Sequence, residues 1–596
     1  MLPTLSTLIF ERGLTQGDTL ALLAPGKPPL TYRQLAEHLR ASALQLNRLG
    51  FRRGDRVAVV LPNGPEMAAA YLAVSAVCTC APLNPAYSAS EFEFYLTDLR
   101  ARGLILPAGE DSPARAVAAK LGVSILDLEA DSALAGRFAL RAGLAANPSM
   151  SEAEFAALDD VALVLHTSGT TSRPKIVPLT QRNIAYSIRN IAETYHLGPA
   201  DRVLNMMPLF HIHGLMAALS STLATGGSIV CAPGLRQAEV LDWLAEFAPT
   251  WYTAVPTIHQ AVLEQANQQP QKAAQAKLRF IRSSSSSLPP AVAEGLEKVF
   301  RAPILEAYGM TEAAHQMTSN PLPPHPRKFG SVGLPTGVTK IRIVNERGET
   351  LPAKALGEIA IYGENVTSGY ENNPQANAAA FVDGWLRTGD RGYLDEDGYL
   401  LIQGRLKELI NRGGEKISPR EVDEALLTHP AIAQAVAFAI PHPTLGEDVA
   451  AAVVLRGGQT VTARELRQFA AGRLADFKVP RQIVFLKEIP KGATGKIQRI
   501  GLADKLRAEI EAQNTSSDEF PLTPLEAEVA AIWQEVLGIP KIGAQDDFLA
   551  LGGDSIRAFR ILARLNEKYH VNLTIRDLFD TPTVADMAAL IAQPKK

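Results

Sequence analysis

From about Leu30 to Leu400, short apolar runs alternate with stretches whose apolar positions recur at helical spacing. The run Arg56-Val57-Ala58-Val59-Val60-Leu61 ends in the turn Pro62-Asn63-Gly64 before a helical pattern, and Leu163-Val164-Leu165 runs straight into a loop of glycine, serine and threonine. Strand-then-helix alternation of this kind predicts a large layered α/β unit, because each sheet face needs helices to cover it. Past Gly404-Arg405 the apolar runs shorten, and Ala433 to Ile440 and Val449 to Leu455 read as two strands of a small α+β domain. The stretch Glu511 to Pro521 is polar and without apolar period, the mark of a linker. After it, Glu526 to Leu537, Ser555 to Tyr569 and Val584 to Ile591 place apolar residues at helical spacing, with helix-start chemistry in Asp580-Thr581-Pro582-Thr583. An all-α bundle is therefore expected there. The expected division is a large domain over 1–403, a small one over 404–502, a linker over 503–520 and the bundle over 521–593.

Composition changes this picture little. A chain of 596 residues exceeds what one core supports, which agrees with several domains. Its net charge is only −3 and no basic stripe is interleaved with aromatics, so nucleic acid is not an expected partner. Cys78, Cys80 and Cys231 are too few for a disulfide framework, and Cys78-Thr79-Cys80 reads as strand packing rather than a metal pair. Met1 to Gly26 lacks a basic segment followed by an apolar one, and no apolar run reaches about 20 residues. The expectation is a cytoplasmic protein without a membrane partner.

Two segments carry candidate chemistry. Thr167-Ser168-Gly169-Thr170-Thr171-Ser172-Arg173-Pro174-Lys175 combines hydroxyls, glycine and lysine in one loop suited to wrapping phosphate oxygens, although not at P-loop spacing. Asp547-Phe548-Leu549-Ala550-Leu551-Gly552-Gly553-Asp554-Ser555 places a serine at the head of a predicted helix, where alone it would be a cap.

Further motifs follow in order: Pro208 to Gly214, Glu306-Ala307-Tyr308-Gly309-Met310-Thr311-Glu312, Leu386-Arg387-Thr388-Gly389-Asp390, Gly404 to Glu408, Arg412-Gly413-Gly414-Glu415-Lys416 and Pro490 to Lys496. With the loop at His166 to Lys175 they resemble the adenylate-forming superfamily of acyl-CoA synthetases, luciferases and peptide-synthetase adenylation domains, over nearly all of residues 1–500. The resemblance implies that ATP and a carboxylate give an acyl-adenylate and pyrophosphate, after which a thiol displaces AMP. Attack of a carboxylate on a phosphate brings two anions together, so positive charge is needed where negative charge develops.

By the family pattern Lys496 supplies that charge, Glu312 holds Mg²⁺ and Thr311 donates to the phosphate. Thr167, Ser168, Gly169, Thr170, Thr171 and Lys175 would wrap the phosphates, Tyr308 would stack on adenine, Asp390 would accept the ribose hydroxyls and Arg405 would lie near ribose or phosphate. The run Ser283 to Ser287 matches the adenine-site loop, and Lys407 falls at the hinge between large and small domains. The C-terminal motif resembles carrier domains of the peptidyl type used in nonribosomal peptide synthesis. Ser555 would then carry 4′-phosphopantetheine, added by a phosphopantetheinyl transferase.

Within the superfamily the likeness is to oxalate-CoA ligase-like members, through Leu83-Asn84-Pro85-Ala86-Tyr87, Phe210-His211-Ile212-His213 and Ala313-Ala314-His315-Gln316-Met317-Thr318-Ser319-Asn320. A diacid needs a partner for its second carboxylate. His213 and His315 are the candidates, since an imidazole can donate a hydrogen bond or carry charge near neutral pH; each stands equally as a packed histidine. The expected function is activation of a small acid, such as oxalate, onto the chain's own carrier for a downstream assembly-line enzyme. A CoA ligase with an idle carrier and a non-catalytic carrier scaffold remain as alternatives.

Overall fold

The computed structural model describes residues 2–167, 174–442, 445–490, 498–510, 522–544, 546, 548, 551, 553 and 555–592. The chain forms two compact units, 1–402 and 403–596. Among the described residues no helix is long and apolar enough to cross a membrane.

Two large sheets and a five-stranded one, which includes Lys340–Val344, Gly357–Tyr362 and Trp385–Leu394, build the first unit. One has nine strands, ordered Leu334–Pro335, His315–Ser319, Ile304–Met310, Phe280–Ser283, Trp251–Ala254, Arg202–Asn205, Ser228–Cys231, Leu20–Ala24 and Lys27–Thr31. Its central strands are parallel and its edges antiparallel. The other, of seven strands, likewise has parallel pairs around Arg56–Val59 and antiparallel edges, one of them made by Val161–Thr167 with Lys175–Thr180. Strands covered on both faces read as unbroken buried runs rather than alternating ones, and Trp251–Ala254 and Phe280–Ser283 are buried at every position.

One apolar cluster draws on both sheets and on the helix Pro65–Ser75. That helix is buried all round except at Glu66, as a helix packed between two layers must be. Capping boxes at Thr31 with Gln34 and at Thr180 with Asn183 start the helices Tyr32–Arg48 and Gln181–Tyr195. The three cysteines are free and buried, and burial pushes the Cys78 thiol up to about 12, which fits packing.

The second unit opens with a sheet ordered Glu415–Ile417, Ile410–Arg412, Gly446–Leu455 and Ile432–His442, with Gln482–Phe485 beside Gly446–Leu455. The two strands read from the sequence are thus an antiparallel pair, longer than their apolar cores. Beneath it Arg499 makes ion pairs with Asp423 and, at 3.3 Å, with Glu408, and donates at 2.8 Å to the Ala437 carbonyl. Farther along, helices Pro524–Leu537, Ser555–Tyr569, Ile575–Asp580 and Val584–Ile591 enclose a separate core of Val529, Trp533, Phe548, Ile561, Leu565 and Met587. The helix Ile575–Asp580 was not read from the sequence, because six residues are too few to show a helical period; its signal is the capping box of Thr574 with Asp577. The linker segment 511–521 lies outside the described residues.

Two stability predictions follow from these buried charges. Arg499→Met leaves the Asp423 carboxylate buried without its cation and should destabilise the 403–510 region by about 3–5 kcal/mol, read as an early urea transition; a midpoint unchanged from wild type would contradict the pairing. Burial drives His259 from its ordinary 6.5 down to about 3. The folded state keeps it neutral, while the unfolded chain takes up its proton below about pH 6.5, so stability falls as pH drops from there toward about 3, by about 1.4 kcal/mol per pH unit. His259→Gln should flatten that acid slope in urea midpoints measured between about pH 7 and 4.5, and a slope identical to wild type would refute it.

Candidate active site

In the first unit, contacts join several of the expected residues in three groups, Lys175 with Glu312 through Tyr370, Tyr308 with Asp390, and His213 with His315. Thr167 and Lys175 face each other across the antiparallel pair that frames the hydroxyl-rich loop. Lys175 Nζ lies 4.2 Å over the ring of Tyr370, and the Tyr370 hydroxyl donates to Glu312 Oε1 at 2.9 Å. Glu312 is buried on the single 3₁₀ turn Thr311–Ala313 that ends the strand Ile304–Met310, and its carbonyl accepts from Thr367 N at 2.7 Å. Burial first, and then the Glu312 carboxylate, raise the Tyr370 hydroxyl well above the usual phenol range, so it stays a donor. Tyr370 stood in no motif, and only its position beside Glu312 reveals it.

The Tyr308 hydroxyl donates to Asp390 Oδ2, which puts the expected adenine and ribose residues side by side. Asp390 is buried, and its amide donates to Thr388 Oγ1 at 3.1 Å within the strand Trp385–Leu394. Close by, Gly309 has a geometric reason: a side chain there would run into the backbone and ring of His315. Ala314 and His315 take the left-handed φ values +48° and +102°, so the chain turns sharply out of the 3₁₀ turn into the next strand.

The two nominated histidines also meet, with ring centroids 4.9 Å apart. His213 begins the π-helical segment His213–Ser220, a form that tends to occur at functional sites. Its Nδ1 lies 3.1 Å from Ser285 Oγ and its Nε2 2.6 Å from Thr253 Oγ1 and 3.2 Å from Arg282 Nη1. A guanidinium has only donors, so the Arg282 contact suits the tautomer in which Nε2 accepts and Nδ1–H faces Ser285 Oγ. Ser285 is solvent-exposed and has φ +74°, whereas Ser283 and Ser284 before it are buried.

Nearby, His166 Nε2 contacts Asp98 Oδ2 at 2.9 Å; burial lowers its pKa against the pull of that carboxylate. In the second unit Arg405 and Lys407 are exposed, Lys407 within the short turn Leu406–Glu408. Ser168, Gly169, Thr170, Thr171 and Lys496 lie outside the described residues. Ser555 is the first residue of the helix Ser555–Tyr569. Ahead of it the Gly553 amide donates to the Phe548 carbonyl at 2.8 Å, and a Cβ on Gly553 would collide with the Phe548 ring, which is itself packed edge-on to Trp533.

A layered α/β fold that sets Lys175 and Tyr370 around a buried glutamate, beside a tyrosine–aspartate pair, fits an ATP-using acid–thiol ligase that works through an acyl-adenylate. The comparisons with known proteins agree. The chain belongs to the AMP-binding enzyme family, whose model matches residues 9–371; the AMP-binding enzyme C-terminal domain matches 421–496 and the phosphopantetheine attachment site matches 527–591. It is 46% identical over 509 residues to an oxalate–CoA ligase of Arabidopsis thaliana, a match covering 83% of this chain and 97% of that protein. ATP-bound MatB from Rhodopseudomonas palustris superposes with a TM-score of 0.74 at 28% identity, over 85% of this chain and 99% of that one. O-succinylbenzoate coenzyme A synthetase (MenE) from Bacillus subtilis, in complex with ATP and magnesium ion, gives 0.72 at 30% identity, over 83% and 99%.

Tyr370→Phe removes the donor to Glu312 and should lower kcat/KM for ATP in pyrophosphate exchange about tenfold, with the fold intact. A value equal to wild type would take Tyr370 out of the site.

Proposed function

We propose that this ligase activates a small carboxylic acid, such as oxalate, and passes the acyl group to 4′-phosphopantetheine on Ser555 of its own carrier, for use by a downstream biosynthetic enzyme. The observation that carries the reading is the presence in one chain of both adenylating segments and a phosphopantetheine attachment segment. The Gly553–Phe548 packing adds support, because it ties Gly553 of the attachment motif to the core of this helical segment. The working division is an adenylating large domain over 1–403, a small domain over 404–502, a linker over 503–520 and a carrier over 521–593. A cytoplasmic setting is part of this reading.

In the first step the acid carboxylate attacks the α-phosphate of ATP. Lys496 bridges the two anions, and Thr311, Thr167, Lys175 and the hydroxyls and amides of 168–171 bind phosphate oxygens. Asp390 takes the ribose hydroxyls, Tyr308 lies on adenine and Arg405 approaches ribose or phosphate. Among the described residues no group of three or more potential ligands could enclose a metal by itself. The buried Glu312 carboxylate, oriented through one oxygen by Tyr370, suits Mg²⁺ instead, a cation bound through one or two carboxylates and substrate phosphates. Mg²⁺ there would neutralise phosphate charge. In the second step the small domain turns about Lys407, Lys496 leaves, the 412–416 loop arrives and the acyl group moves from AMP to the thiol. His213 through its Nδ1–H and Ser285, together with His315, would meet the second carboxylate of a diacid.

The names of the relatives favour a second reading, with free CoA as the acceptor. Intact mass of the phosphopantetheinylated protein, incubated with ATP, Mg²⁺ and oxalate, other diacids, aryl acids, fatty acids or amino acids, separates the two. A gain of acyl mass lost in Ser555→Ala supports self-loading; no gain, together with acyl-CoA formation on adding CoA, moves the assignment to a CoA ligase. Lys496→Ala should lower adenylation by about 10²–10³-fold and affect thioester transfer from supplied adenylate far less. Equal losses in both steps would contradict the domain turn.

A further inference from the structure

Arg282 is an oddity of the first unit. It lies in the middle of the nine-stranded sheet, on a strand whose other positions are small or apolar, and it is fully buried. Its Nε and Nη groups reach Tyr195 Oη at 2.9 Å, Gln316 Oε1 at 3.0 Å, Thr253 Oγ1 at 3.2 Å and His213 Nε2 at 3.2 Å. Its own carbonyl lies 3.2 Å from His259 Nε2. Among the described residues every partner of its guanidinium is neutral.

A guanidinium keeps its charge at any working pH, and a buried cation without a counter-ion is costly to hold. A complementary anion beside His213 and Ser285 would offset that cost, because in a low-dielectric interior charge acts over several ångströms. A chain of contacts leads from Arg282 to the exposed Ser285. Arg282 contacts His213 Nε2, Nδ1 of the same ring lies 3.1 Å from Oγ of the exposed Ser285, and the His315 ring lies tilted against it with centroids 4.9 Å apart.

We propose that Arg282 is a positioning residue that selects the acid: it locks His213 as a neutral Nδ1–H donor and sets a positive potential behind that ring, so that acids with a second negative charge are preferred. This rests on the reading that His213 and His315 face the acid. The chemical class implied is a short diacid in its dianionic form. Oxalate and oxamate are close isosteres that differ by one charge, which makes them the natural pair of probes.

The test is pyrophosphate exchange by the full chain with oxalate and with oxamate, for wild type, Arg282→Met and Thr253→Val. Arg282→Met should raise KM for oxalate about 30-fold, leave KM for ATP within about threefold and abolish the preference for oxalate over oxamate. Thr253→Val removes the hydroxyl shared by Arg282 and His213 and should erode the same preference about threefold to tenfold. If Arg282→Met yields no folded protein, Thr253→Val decides alone. A merely structural role would depress both acids equally or alter KM for ATP, and either pattern with the preference intact overturns the proposal. A wild-type enzyme that does not prefer oxalate to oxamate overturns the diacid reading of the site, and the role of Arg282 with it; a wild-type preference that survives both variants overturns the role of Arg282 alone.

Discussion

A strand buried on both faces can carry a polar group along its length only where that group is paired, so groups free to meet a ligand gather at its ends, and the first unit is arranged around that constraint. The parallel strands Trp251–Ala254, Phe280–Ser283 and Ile304–Met310 run through a layered interior in which an unpaired polar group would be expensive. The polar residues therefore emerge where these strands finish: Ser283 to Ser287 after one, Tyr308 to Glu312 along and after another. Crevices at strand carboxyl ends are where open α/β sheets bind ligands for the same reason.

What the ends deliver is then fixed by tight local geometry. Gly309 lets His315 fold back against it, the left-handed Ala314 and His315 reverse the chain, and the antiparallel pairing Met310 with His315 places the histidine one strand away from Tyr308. Neighbouring side chains finish the job: Tyr370 orients Glu312, Tyr308 meets Asp390, and Arg282 contacts Nε2 of His213. Each of these is a hydrogen bond to a charged or strongly polarised group in a poorly hydrated place, where such bonds are strongest and their loss most felt.

The helical segment after residue 522 obeys a different logic. Its core of Trp533, Phe548 and the apolar faces of four helices is complete without the sheets of the first unit. A carrier that visits other sites needs such self-sufficiency, because a fold relying on one neighbour for its core could not leave it. Gly553 shows how close the packing runs to the attachment motif, with the Phe548 ring occupying the space a side chain would need.

The alternation of strand and helix, the small domain's two long strands and three of the four late helices were legible in the sequence, because periods of two and of 3.6 are local properties. The motif residues were legible too, since their order along the chain is itself the signal. Short elements such as Ile575–Asp580 were not, for want of a full period. Nor were Tyr370 and Arg282 as partners of the site: Tyr370 is 58 residues from Glu312, and Arg282 is 69 from His213. The sequence by itself determined the layered fold, the family motifs and the residue types available for chemistry. Only the tertiary structure decided that a buried arginine stands behind His213 and that a tyrosine outside every motif holds Glu312, because such pairings arise from sheet order and packing between segments whose local patterns are silent about each other.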